Sequence, residues 1–334
     1  MACYHPLRGV VLGYTENGKK NIRILKESDF SYEAPGVEYI NIPCGKCIGC
    51  RLDYSRQWAD RCMLEAQYHD HNSFITLTYN DEHLPSPNPK FDLETGELIG
   101  YSKIHPLVKK DFQDFMKRLR DRVGYDTPIR FYACGEYGGR SFRPHYHAIL
   151  FGYDFSNDRK LLKRNFQNND YYVSDLLDSC WNKGYSMIAN VDWNSCAYVS
   201  RYVAKKIFKE NDIYYQENVP SEFTLMSRKP GIGRQYYEDH KLDILNNQRI
   251  YIADSKGSKE IRPPKYYDKL FDIDYPEEMD IIRNKRSSIS KDNAKIKLEH
   301  TSKDFLGMLQ DAEVNIEART KILKERSKID ETFG

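Results

Sequence analysis

Residues 129–152 limit the fold more than any other stretch, because they read as two strands folded back on each other. IRFYACGEYG (129–138) and RPHYHAILFG (143–152) are rich in β-branched and aromatic residues, and Gly138-Gly139 supplies the turn between them. Around them the pattern alternates. FITLTY (74–79) and YSMIANVDW (185–193) read as strands, while residues 51–71, 109–123, 159–182 and 195–210 read as helices. Hairpin-like pairing of neighbouring strands favours an α+β fold, a central antiparallel sheet with helices packed on one face. Near the start, VVLGY and NIRIL flank Asn17-Gly18, a hairpin signal.

Gly- and Pro-rich stretches divide the rest. Residues 83–105, 226–237 and 262–267 read as loops. Residues 277–331 are densely charged with sparse apolar positions, which predicts one or two loosely docked helices or a partly disordered tail. Four segments follow: an N-terminal extension (1–72), a core (73–210), an accessory basic loop region (211–276) and a charged tail (277–334).

Composition excludes several classes. Fifty-one Lys and Arg against 49 Asp and Glu leave a net charge of +2, so nucleic-acid contact has to come from local patches. No apolar run is long enough to span a bilayer, and the first residues carry no apolar leader, so no membrane partner is expected. Gly13 and Gly18-Lys19 have P-loop spacing, but Lys20 stands where the motif needs Ser or Thr. Eight cysteines without a secretion signal point to reduced thiols or metal ligation in a reducing cytoplasm.

Three features carry chemistry. His145 and His147, two apart on a strand, share a face and can chelate one ion. Glu136, at the end of the preceding strand, reaches that face if the two strands pair, completing a two-His, one-carboxylate open metal site; from spacing alone it reads first as a solvated turn residue. Tyr198 and Tyr202, four apart on a helix, share a stripe, with Arg201 three after the first and Lys205 three after the second. A nearby cation favours the phenolate, the attacking form. The plainer reading is an amphipathic helix with half-buried tyrosines.

Together and in this order, FITLTYND (74–81), EYGGRSFRPHYHAILFG (136–152) and YVSRYVAKK (198–206) resemble the HUH endonucleases, the rolling-circle replication initiators with a His-hydrophobic-His motif. The resemblance is nearest to the initiators of microviruses, gokushovirus branch, which IPCGKCIGCR (42–51) and SRKPGIG (227–233) also resemble. It implies a site-specific, two-tyrosine DNA nicking–joining endonuclease with an HUH-type sheet. His145, His147 and Glu136 match its metal ligands, for Mg²⁺ or Mn²⁺. Tyr198 and Tyr202 match the nucleophiles and Lys205 the lysine that follows them. Arg201 stands where some relatives have lysine. The product would be a 5′-phosphotyrosine and a free 3′-hydroxyl. The implied partners are single-stranded or extruded origin DNA and a host helicase and polymerase, in the host bacterial cytoplasm. Candidate DNA contacts are Arg201, Lys206, Arg228, Lys229 and Arg234, with Lys109, Lys110, Lys117, Arg118, Arg120 and Arg122 on the 109–123 helix.

Cys44, Cys47 and Cys50 form C-x₂-C-x₂-C, three quarters of a structural Zn²⁺ site. Cys3, His5 and Cys62 are available as the fourth ligand, and the resemblance favours Cys3. An iron–sulfur cluster or three free thiols are the alternatives. The competing functional class is a non-catalytic zinc-containing DNA-binding protein whose tyrosines stack bases.

Overall fold

The structure is a computed structural model. It describes residues 3–16, 20–26, 34–92, 94–139, 141–165, 168–205, 217–254 and 257–331, with side chains described except at 202–205, 253–254 and 322–331. They fall into two compact units, one from Met1–Asp53 with Ile282–Gly334, the other from Tyr54–Ile281.

The first unit holds β1 (Leu7–Tyr14), β2 (Lys20–Ile24) and β3 (Tyr39–Ile42), an antiparallel sheet in the order β2-β1-β3. The pairing of β1 with β2 bears out the expected hairpin. The unit boundary falls within α1 (Ile48–Ala66).

The second unit is built on β4 (Asn72–Tyr79), β5 (Pro89–Phe91), β6 (Leu98–Tyr101), α2 (Lys109–Val123), β7 (Arg130–Tyr137) and β8 (Pro144–Phe151). There follow β9 (Lys160–Arg164), β10 (Asp170–Val173), α3 (Asp175–Trp181), β11 (Gly184–Ala189), α4 (Trp193–Lys205) and β12 (Phe223–Met226). Then come α5 (Arg234–Asn247), β13 (Ile250–Asp254), β14 (Gly257–Ile261) and α6 (Lys265–Asp274). Two further helices, α7 (Pro276–Glu299) and α8 (Phe305–Glu331), end the described chain.

Seven strands form one sheet, ordered β12-β7-β8-β4-β11-β10-β9, every pair antiparallel. The segment beginning at 211 therefore contributes a sheet strand, β12. Helices cover both faces, not one. β8 is buried along nearly its whole length, so it shows no apolar–polar alternation, the mark of a strand packed on both sides. On one face Leu77, Tyr146 and Leu150 meet Phe112, Phe115, Met116 and Leu119 of α2 and Trp181 of α3. Each of those α2 side chains contributes about 1.5–3 kcal/mol by burial. On the other face Phe74, Tyr132, Cys134 and Ile149 meet Ala59 and Cys62 of α1 and Cys196, Ala197 and Val199 of α4.

Some expected elements differ. Within 159–182 only Asp175–Trp181 is helical; β9 and β10 precede it as an edge hairpin, and β9 is exposed throughout. An exposed edge strand has no buried face, so it carries no period-2 signal, and Leu161-Leu162 reads as helix. The 83–105 stretch holds the β5–β6 hairpin, turned around Gly96 at φ 72°. The loops expected at 226–237 and 262–267 end earlier, at the starts of α5 and α6. The 277–331 tail is α7 and α8.

Candidate active site

Strand register builds the site. β7 and β8 pair with Glu136 directly opposite His145 and Cys134 opposite His147, and β4 sets Thr76 opposite His147. Alternation sends all of these to the face that α1 and α4 cover.

One donor atom from each of Glu136, His145 and His147 lies within 4.8 Å of the others. Both imidazole Nε2 atoms sit against the same carboxylate oxygen, Glu136 Oε1, at 2.8 Å from His145 and 2.9 Å from His147. The Nδ1 of His145 donates to the Arg143 carbonyl at 3.0 Å. A carbonyl only accepts, so Nδ1 carries the proton, and a neutral ring would turn a lone pair on Nε2 toward the carboxylate. The contact therefore needs positive charge at Nε2, a second ring proton or a metal ion. On His147, Nδ1 lies 2.9 Å from Thr76 Oγ1 and Phe74 stacks at 5.5 Å and 16°. Burial alone would push the Glu136 carboxyl up, but the bonds and charges of the two histidines outweigh it and hold it below the usual range.

Tyr198 comes to this group from α4. Its ring stands perpendicular to His147 (5.1 Å, 88°) and to Phe74 (6.2 Å, 82°). The Arg201 guanidinium carbon lies 5.9 Å from the centre of that ring. Two bonds from α1 fix the helix: Ser55 Oγ donates to the Ala197 carbonyl at 3.1 Å, and Asp60 accepts from Trp193 Nε1 at 2.9 Å. Tyr202 and Lys205 lie on the α4 backbone, but their side chains are not among those described, and Lys206 lies outside the described residues. Sequence reasoning did not single out Thr76 or Phe74. The signal available was their place two apart on β4, the same period that joins the two histidines.

The basic candidates separate. Arg228 and Lys229 are exposed in the loop after β12. Arg234 is the first residue of α5 and pairs with Glu238. The α2 cations do not join the site, because α2 packs on the opposite sheet face. There Arg118 and Arg120 donate to the carbonyls of Cys180 and Ile129, and Lys110 pairs with Asp114.

In the first unit Cys3, Cys44, Cys47 and Cys50 converge, one sulfur from each within 4.8 Å of the rest. Amides donate to these sulfurs: Tyr4 to Cys47 at 3.3 Å, Cys44 to Cys3 at 3.2 Å, and Cys47 to Cys44 at 3.3 Å. Burial would raise the Cys47 thiol, but main-chain bonds from Cys50 and Tyr4 bring it down to about 7. Tyr4, Cys47, Ile48 and Leu309 form the buried core beside the group, with Phe305, Met308 and Ile316 of α8 against it. His5 pairs with Glu313, and Cys62 lies in the sheet core, so Cys3 is the fourth member.

This is an α+β chain with a large antiparallel sheet and two metal-capable groups, one Glu/His/His and one Cys₄. The family model for the replication-associated protein ORF2 matches residues 72–207. The chain is 30% identical over 340 residues to the replication-associated protein ORF2 of Spiroplasma virus 4, covering 98% of this chain and all of that protein. It is 30% identical over 241 residues to replication-associated protein VP4 of Bdellovibrio phage phiMH2K, covering 70% and 69% of the two chains. It is 28% identical over 216 residues to replication-associated protein ORF4 of Chlamydia phage 1, covering 63% and 49%. The chain belongs to this family of phage replication-associated proteins. No solved structure matches it. No helix among the described residues is long and apolar enough to cross a membrane.

Proposed function

We propose that this protein initiates rolling-circle replication as an HUH-type, two-tyrosine nicking–joining endonuclease acting on single-stranded or extruded origin DNA in the host bacterial cytoplasm. The observation that carries the reading is the Tyr198 ring packed against His147, one member of the Glu136–His145–His147 group. The Tyr198 oxygen, as phenolate, attacks the scissile phosphorus. The P–O3′ bond breaks, the 3′ oxygen takes a proton and leaves as a primer hydroxyl, and a 5′-phosphotyrosine bond forms. The covalent link keeps the phosphodiester energy, so rejoining is the same step reversed. Arg201 beside the Tyr198 ring favours the phenolate electrostatically.

The donor set, one carboxylate oxygen and two imidazole nitrogens with His145 oriented by a carbonyl, fits a divalent cation. Mg²⁺ or Mn²⁺ held there would polarise the phosphate and stabilise its developing charge. Tyr202, one turn along α4, is the second nucleophile, which lets one tyrosine hold an end while the other cuts. Lys205 follows it in the same role as in the resemblance. Arg201, Lys206, Arg228, Lys229 and Arg234 face the DNA backbone, and a host helicase and polymerase act downstream. Zn²⁺ is the ion we assign to Cys3, Cys44, Cys47 and Cys50, as a fold staple.

The test incubates purified protein with labelled circular single-stranded DNA and Mn²⁺ or Mg²⁺, followed by a denaturing gel. The expected result is a metal-dependent, SDS-stable adduct that maps to Tyr198 or Tyr202 and is lost when both become Phe. Full nicking by the double Phe variant would sink the mechanism. No adduct from protein that still binds the DNA would leave the non-catalytic zinc-containing DNA-binding reading.

A further inference from the structure

The loop that follows β12, residues 227–233, is held by its own main chain to an unusual degree. Arg61 of α1 lies between two rings, its guanidinium carbon 4.0 Å from the centre of Trp58 and 3.9 Å from that of Tyr266. From there its Nε and Nη2 donate to the Ile232 carbonyl at 3.1 and 2.9 Å. Glu65, one turn on, accepts the Gly233 amide at 2.7 Å and pairs with Arg130, whose Nη2 donates to the Pro230 carbonyl at 2.7 Å. Tyr267 Oη donates to the Gly233 carbonyl at 2.7 Å. At the other end the Ser227 amide donates to the Phe131 carbonyl at 2.9 Å, and Ser227 Oγ accepts the Phe131 amide at 3.1 Å. Space is tight as well as bonded: a Cβ on Gly231 would stand 2.7 Å from Tyr266 Oη.

So much fixing of a surface loop needs a reason, because most loops leave their main chain to water. The side chains it presents supply one. Arg61, Arg130 and Arg234 spend their charges on protein partners. Arg228 and Lys229 are exposed, and neither has an acidic partner among the described residues. Ile232 packs into the core that also meets Tyr198, so the loop belongs to the site's face of the sheet. Met226 is opposite Tyr132, four residues along β7 from Glu136, or about 13 Å. Two cations held rigidly at that distance match a strand whose phosphates run on from the scissile one.

We propose that residues 227–233 form a preorganised contact for the phosphate backbone of single-stranded DNA, with Arg228 and Lys229 touching phosphate and Arg61 a positioning residue that never touches DNA. This rests on the nicking reading for the identity of the strand. Preorganisation explains the chemistry chosen at Arg61: a planar guanidinium stacks between rings and bonds one carbonyl with two N–H groups, which lysine cannot do.

The experiment is fluorescence anisotropy of labelled oligo-dT with the full chain carrying Tyr198→Phe and Tyr202→Phe, across a range of NaCl. In that background Arg228→Ala with Lys229→Ala removes two phosphate contacts. The slope of log K against log salt falls by about 1.4, and affinity at 0.1 M salt falls roughly 25-fold. Arg61→Met weakens binding about tenfold with the parent salt slope, because the cations remain and only their placement is lost. Gly231→Ala gives a second displacement of the loop with no change of charge, for use if Arg61→Met fails to fold. Parent affinity and slope in the Arg228/Lys229 variant would overturn the phosphate contact. Parent affinity in folded Arg61→Met and Gly231→Ala variants would overturn the positioning role. Failure of the Phe background itself to bind oligo-dT would instead sink the replication-initiator reading beneath both.

Discussion

The two metal-capable groups of this chain are built by opposite means. Glu136, His145 and His147 are placed by register: three paired strands, buried on both faces, leave each side chain one place to be. Cys3, Cys44, Cys47 and Cys50 come from a chain end, two turns and the first turn of α1, beside a core of four buried residues. The first group is a passenger on a frame that stands without it. The second supplies much of what holds its surroundings together. The same donor chemistry thus implies function in one place and folding in the other, and each implication can be broken separately.

The largest effect belongs to the cysteines. Binding energy at a closed four-cysteine zinc site is folding energy, about 10 kcal/mol or more in small domains. Stripping the ion, or replacing Cys47 by Ser, is expected to abolish hydrogen-exchange protection around Tyr4 and residues 305–316 and to leave β4, β7 and β8 protected. Unchanged protection in the first unit would reduce the group to four thiols. Next comes His147→Ala, which should lower nicking by about 10³, some 4 kcal/mol of transition-state stabilisation. Its cost in stability should be only about 1–2 kcal/mol, read from urea melts. A collapse of the sheet in this variant would contradict the passenger reading. A finer cut is Thr76→Val, which removes the Nδ1 partner of His147. Metal affinity at the Glu/His/His group, read by Mn²⁺ titration, should fall about 10–100-fold, with Thr76→Ser restoring it.

What could be read from the sequence follows the same division. β7 and β8 were legible because their residues are β-branched or aromatic and joined by a glycine turn, and the register of Glu136 with His145 follows from that turn. Tyr198 was legible as a helical stripe, yet nothing local says that α4 crosses the histidines; that comes from Ser55 and Trp193 bonding α4 and α1 together. The β9–β10 hairpin was not legible, since exposed edge strands have no buried face to give them a period. The α2 cations pointed the wrong way for a related reason. Their spacing shows a polar face, but which side of the sheet the helix covers is a tertiary fact. Cys3 was within reach only as one of three candidates, because sequence distance says nothing about closure over forty residues.

The smallest effect tests the frame itself, through two buried carboxylates of α1 whose protons respond oppositely. Glu65 is buried, which alone would raise its pKa, but bonds from His69, the Gly233 amide and Arg130 outweigh that and lower it. A folded pKa below the unfolded one means the folded state holds fewer protons between the two. The stability Glu65 contributes is therefore complete above about pH 4.5 and is lost as pH falls through the folded value. Asp60 runs the other way: burial outweighs Trp193 and Arg56, its pKa is raised, and its contribution declines as pH rises above the unfolded value. Glu65→Gln should therefore cost about 1–2 kcal/mol at pH 7 and flatten the acid limb of the stability curve, measured by urea melts at a series of pH values. An acid limb as steep as the parent's would show that the sheet and the 227–233 loop do not depend on the charge of Glu65. The frame would then owe its rigidity to packing alone.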